Sequence, residues 1–222
     1  MAHRKRTRTT STERGRSDPR LSPNARKLQN LRRDVAVEAA RIMATEGQRN
    51  FMAAKRKAAE RIGAGPRIVL PSNREVEEAL RAYQGFFGGE DHTHNLSSLR
   101  EVAVEVMRHL EQFQPRLVGP VLDGTADQYS RVSLHLFNDP PEAVLWHLDE
   151  LAINFHEEQR KIRWHDGSHR LVQLLVTELR EVTIELALFD LVDLRQAPPS
   201  PVDGRPQKRA ALQDVEILLA AA

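Results

Sequence analysis

Apolar residues recur at helical spacing through the first half of the chain and at strand-like spacing through much of the second. Leu28, Leu31, Val35, Ala39, Ile42 and Met43 share one broad face. They predict a helix that starts between Leu21 and Asn24 and runs to Glu46, with Gly47 as its stop. A second helix is predicted from about Arg49 to Ile62 by Phe51, Ala54, Ala58 and Ile62, and Gly63, Gly65 and Pro66 break it. Ser72 and Glu75 have the spacing of a capping box. Behind them Val76, Ala79, Leu80, Tyr83, Phe86 and Phe87 form the stripe of a third helix, ended by Gly88-Gly89. Residues 90–94 read as a loop, and a fourth helix is predicted from Leu96 to Phe113.

The pattern then changes period. Leu117, Val118, Val121 and Leu122 predict a short buried strand, Asp123-Gly124 a turn, and Val132–Phe137 a half-buried strand. Asp139, as N-cap, starts a helix carrying Val144, Leu145, Leu148 and Leu151. Strand-like segments follow at 153–157 and 159–164, a hairpin at Asp166-Gly167, and strands at 171–177 and 182–189 joined at Arg180-Glu181. A proline-rich segment, 195–206, predicts irregular wrapping, and Ala211–Leu219 a last helix. The resulting expectation is an α+β chain of three parts. Residues 1–20 form a tail, 21–95 a helical region of about four helices, and 96–222 a largely antiparallel, mixed sheet with flanking helices.

Composition narrows this picture. At 222 residues, 40% hydrophobic and 29% charged, the chain has the make-up of an ordinary globular protein. It has no cysteine, which excludes disulfides, thiolate metal sites and Cys nucleophiles. No membrane-length apolar run and no signal-type apolar segment occur, so the expected setting is cytoplasmic, with no membrane partner.

Charge is unevenly spread. Residues 1–33 hold eleven Lys/Arg against two Asp/Glu, a surplus of nine, so a total of +2 leaves −7 on residues 34–222. The first twenty residues, with Arg4, Lys5 and Arg6 at their head, have little to bury and are expected to be disordered. Such an arm could hold nucleic-acid phosphates, or serve only as a solubilising extension. Lys55, Arg56 and Lys57 give the second helix a basic stretch, and VAVEAARIMATEG resembles the first helix of TetR-type repressors. One reading is a helix that contacts DNA in the major groove. The other is a charged face in water, which suits the lack of accompanying Asn, Gln or Ser for base reading. His92-x-His94 beside Glu90 and Asp91 supplies too few ligands for zinc, so no metal site is expected there.

The stretch RLVGPVLDGTADQYSRVSLHLF, residues 116–137, carries the clearest candidate chemistry. Its strand, Gly-containing turn and strand, followed by a helix and further strands, resembles the nucleotidyltransferase superfamily over about residues 99–206. That resemblance implies a Gly-Ser turn for phosphate, an Asp-x-Asp or Asp-x-Glu pair, and a third carboxylate on a later strand. Together these hold two Mg²⁺ ions for in-line phosphoryl displacement. Here Gly119 stands at the glycine, but Pro120 replaces the serine. Gly124 lies in the loop, and Ser130 precedes the dyad. Arg131 and Ser133 occupy the dyad positions, and Glu185 falls where the third carboxylate belongs.

Gly119, Gly124, Ser130, Arg131 and Ser133 are therefore the candidate nucleotide-binding residues, and Glu185, Asp123 and Asp127 the candidate catalytic carboxylates. Arg131 brings positive charge to the place where metal ions would sit, so ordinary Mg²⁺-dependent transfer is not expected. Three functions remain open. The chain could be a nucleotidyltransferase-like protein impaired in catalysis that binds a nucleotide, RNA or protein partner. It could be an active enzyme with a rebuilt metal site, or a DNA-associated regulator using the basic arm and Lys55–Lys57. The cofactor and the substrate are not specified by the residues.

Overall fold

In a computed structural model, residues 22–65 and 68–221 are described. The basic tail, including Arg4, Lys5 and Arg6, and Pro66 lie outside them. The chain is mixed α+β, with helices first and a five-stranded sheet after.

Helix α1 (Pro23–Glu46) begins where Ser22 Oγ accepts the Ala25 N–H and a proline fills the first turn. It ends at Gly47, whose φ of 65° is the left-handed conformation that terminates helices. Helix α2 (Phe51–Ile62) is capped by Asn50, which accepts from Ala53 N at 3.0 Å, and stops at Gly63. Helix α3 (Asn73–Phe87) starts at a complete Ser72/Glu75 capping box. Burial disfavours the Glu75 carboxylate, but hydrogen bonds from Arg32 and Ser72 outweigh it and pull its pKa down to about 2. The three helices share one core, in which Ala39, Ala54 and Ala58 let α1 and α2 approach closely beside Val35, Ile42, Val76 and Leu80.

Helix α4 (Gly89–His109) corrects the expected loop at 90–94, which forms its first turns. Glu90 and Asp91 sit at the helix N-terminus, where the helix dipole favours acidic side chains. Gly88 makes the sharp α3–α4 joint possible. A Cβ there would lie 2.5 Å from the Gln84 carbonyl oxygen and 2.6 Å from His92 Cβ.

The sheet is built from β1 (Arg116–Val118), β2 (Val132–Phe137), β3 (His156–Arg163), β4 (His169–Leu179) and β5 (Val182–Phe189). Its order is β1-β2-β5-β4-β3; β2 and β5 run parallel and every other neighbouring pair runs antiparallel. Between the strands lie α5 (Pro120–Asp123) and α6 (Ala143–Glu150), and α7 (Leu212–Ala220) closes the chain. Strand alternation divides the two faces. Leu134, Leu136, Ile184, Leu186 and Leu188 pack into one core with residues of α4, α6 and α7. The opposite face presents Ser133, His135 and Phe137 beside Glu185, Ala187 and Phe189, in register. Its far end is a smaller cluster of Phe137, Phe189, Trp164, Val172 and Leu174.

Three local expectations need correction. The strand at 117–122 ends at Val118, because Gly119 turns the chain and Pro120 begins α5. The strands at 153–157 and 159–164 are one strand, β3, that starts at His156. Asp139 does not cap α6; its carboxylate instead accepts the Leu191 N–H at 3.1 Å. The proline-rich segment wraps as an ordered loop, closed by a Pro199–Pro206 bridge and a 2.7 Å hydrogen bond from Ser200 N to Arg205 O. Asn73 of α3 donates to Pro201 O at 2.6 Å, which ties that loop to the helical part. No helix among the described residues is long and apolar enough to cross a membrane.

Candidate functional site

At the end of β1, Gly119 adopts φ 71° and ψ −153°, a conformation closed to residues with a Cβ. The chain passes from it through α5 and Gly124, at φ 78°, into the loop 125–131. Asp127 organises that loop: its Oδ1 accepts from Tyr129 N at 2.9 Å and from Ser130 Oγ at 2.8 Å. Ser130 Oγ in turn accepts the Asp127 N–H at 2.9 Å. This closed Asx-type turn delivers Arg131 to the mouth of β2.

Because β2 and β5 run parallel, Ser133 lies directly beside Glu185. Glu185 is 5% exposed, and both of its oxygens are held by Arg160 of β3, from Nη1 at 2.8 Å and Nη2 at 2.6 Å. This is the fork-to-fork geometry in which a guanidinium binds a carboxylate most strongly. Arg131 adds a second cation, 3.7 Å from Glu185 Oε2 and 3.9 Å from Glu158 Oε1.

These groups line one cleft of about 840 Å³ between the helical part and the open sheet face. Gly119, Asp123, Asp127, Ser130, Arg131, Ser133 and Glu185 all border it, seven of the eight candidate nucleotide-binding and catalytic residues. Gly124 is beside it, in the turn between α5 and the loop. Among the five further arginines that border the cleft and that the sequence did not single out, two bear on Glu185. Arg160 arrives from β3, and Arg49 from the short α1–α2 connection. Arg49 makes no hydrogen bond or ion pair among the described residues, although Asp127, Arg131 and Glu185 all act on its charge. Partial burial, with repulsion from Arg131, lowers its pKa from the ordinary value.

The donor set does not suit a pair of Mg²⁺ ions. Arg131 and Ser133, at the positions where the sequence resemblance leads one to expect carboxylates, supply none, and Glu185 is committed to Arg160. Asp127 Oδ1 accepts two hydrogen bonds of its own turn. Asp123 lies 3.8 Å from Lys208 and 4.0 Å from Arg81. Among the described residues, no three His, Cys, Asp or Glu side chains gather as a metal site. His92 is turned toward the Gly124 carbonyl, 3.3 Å away.

The basic stretch of α2 is broken up. Lys55 is 5% exposed and donates to Pro71 O at 3.0 Å and to Asn73 Oδ1 at 2.7 Å. Lys57 pairs with Glu46. Arg56 is exposed and has no carboxylate partner among the described residues.

Comparison of the chain with protein-family models, with curated proteins and with solved structures returns no match.

Proposed function

We propose that this protein is nucleotidyltransferase-like in its core, and that its cleft binds a nucleotide without carrying out two-metal nucleotidyl transfer. One observation carries the reading: Glu185, buried beside Ser133 and sharing a cleft with Gly119, is neutralised by Arg160 and approached by Arg131. A transfer site of this class needs free carboxylate oxygens facing the phosphates. Here guanidiniums occupy that role, and guanidiniums attract phosphates directly. The glycine turn that follows β1 and the antiparallel β1–β2 pair support this reading. A cytoplasmic setting, where nucleotides are plentiful, suits this reading.

An active enzyme with a rebuilt site is disfavoured, because Asp123 faces Lys208 and Arg81 while Asp127 holds its own loop. A DNA-reading role for α2 is disfavoured by the inward turn of Lys55.

The test pairs a turnover assay with a binding assay. Incubation with ATP, CTP, GTP or UTP and Mg²⁺ is expected to release no pyrophosphate, while calorimetry in EDTA detects binding of at least one of the four. Metal-dependent turnover that disappears in Glu185→Ala overturns the proposal, as does the absence of any nucleotide binding.

A further inference from the structure

The cleft holds more positive charge than its local carboxylates balance. Arg160 satisfies Glu185 through two short hydrogen bonds, and Arg131 stands outside hydrogen-bond range at 3.7 Å from the same carboxylate. Arg49 reaches the same lining from the opposite wall without a hydrogen bond or ion pair among the described residues. Glu185 is the buried carboxylate that Arg160 and Arg131 share, and around the cleft as a whole seven Lys/Arg side chains face six Asp/Glu, a surplus of one. Arg131, 36% exposed, and Arg160, 50% exposed, keep donors available on their cleft sides. Ser133, half-buried, adds a hydroxyl that makes no hydrogen bond among the described residues.

We propose that Arg49, Arg131 and Arg160 form a polyphosphate subsite that takes the di- or triphosphate of the ligand in its metal-free form. The inference rests on the nucleotide-binding reading above and specifies it. Glu185 acts as a brace: by engaging one N–H on each of Arg160 Nη1 and Nη2 it sets the guanidinium plane and leaves the three remaining N–H donors directed elsewhere. Arg49 supplies the arm from the helical wall, so a bound polyphosphate spans the two sides of the cleft. In a two-metal site, Mg²⁺ bridges phosphate oxygens to carboxylates. In this cleft the positive charge is already built into the chain, so a Mg²⁺ ion on the phosphates repels the arginines and competes for the same oxygens.

Opposite dependence on metal is therefore the signature. Calorimetry of the full chain with inorganic tripolyphosphate in EDTA is expected to show saturable binding, weakened by excess Mg²⁺. Arg49→Ala, in an exposed connection, is expected to weaken binding about ten- to a hundredfold, the range for loss of a charged hydrogen bond. Arg56→Ala, outside the cleft, is expected to leave it unchanged. Tripolyphosphate binding that needs Mg²⁺ overturns the inference, as does binding equal in wild type and Arg49→Ala. If tripolyphosphate fails to bind while a nucleotide still binds in EDTA, the polyphosphate subsite is wrong and the nucleotide-binding reading stands. If neither binds, both fall.

Discussion

His135 shows how one residue ties the sheet face to its cover. It is 5% exposed on β2, and its Nδ1 accepts from Arg209 Nε at 3.1 Å. Burial, with added repulsion from Arg209 and Arg160, pushes its pKa down to about 3 from 6.5, so it is neutral in the folded protein. Arg209 also lies 4.8 Å over the Phe137 ring, and its Nη1 donates to Asp193 O at 2.7 Å. The sign of the pH effect follows from proton counting. Between pH 6.5 and 3 the unfolded chain protonates at His135 and the folded chain does not, so stability is full above 6.5 and falls as pH drops. The slope approaches about 1.4 kcal/mol per pH unit for one proton. In urea unfolding from pH 7 to 5, His135→Asn, which retains an acceptor for Arg209, is expected to flatten this decline. An unchanged slope in the variant would assign the acid sensitivity elsewhere.

Among the elements, the β4–β5 hairpin carries avoidable strain. Its two turn residues, Arg180 and Glu181, have φ of 51° and 64°, a pair of left-handed conformations that the turn requires and that glycine or asparagine adopts more readily. Arg180 is tied to Glu105 at 2.7 Å, whereas Glu181 has no ion pair among the described residues. Glu181→Gly is expected to stabilise the protein by about 0.5–1 kcal/mol, read as a raised urea midpoint; a lowered midpoint would show that the glutamate side chain contributes more than its backbone costs. The elements whose ends are marked by local chemistry were legible from the residues. Gly47, Gly63 and the Ser72/Glu75 box set helix ends, and the alternation in 132–137 set a strand. What depends on partners distant in sequence was not legible. Lys55 reads as a surface cation until Pro71 and Asn73 are placed against it. Arg160 reads as one charge among several on an edge strand; strand alternation puts it on the sheet face that carries Glu185, and only in the folded sheet does its long side chain reach that carboxylate diagonally. Arg49 carries no local signal at all, because its role depends on how the helical part meets the sheet.

For the whole molecule, the cleft exists because the helical part and the sheet are held together around it. Gln84 of α3 donates to Thr125 O at 2.9 Å, Asn73 donates to Pro201 O, and Tyr129 packs against Gly47, where an added Cβ would come within 3.0 Å of its ring. These contacts place Arg49 opposite Arg131 and Arg160, the arrangement on which the proposed phosphate site rests. The central proposal is that arginines in this cleft bind phosphate without metal ions. Its most direct test is Mn²⁺ binding followed by electron paramagnetic resonance, with and without nucleotide. The account predicts no protein-bound Mn²⁺ in the wild type, and a new Mn²⁺ site in Arg131→Asp/Ser133→Asp, which restores carboxylates beside Glu185. Stoichiometric Mn²⁺ on the wild type that is lost in Glu185→Ala would contradict it.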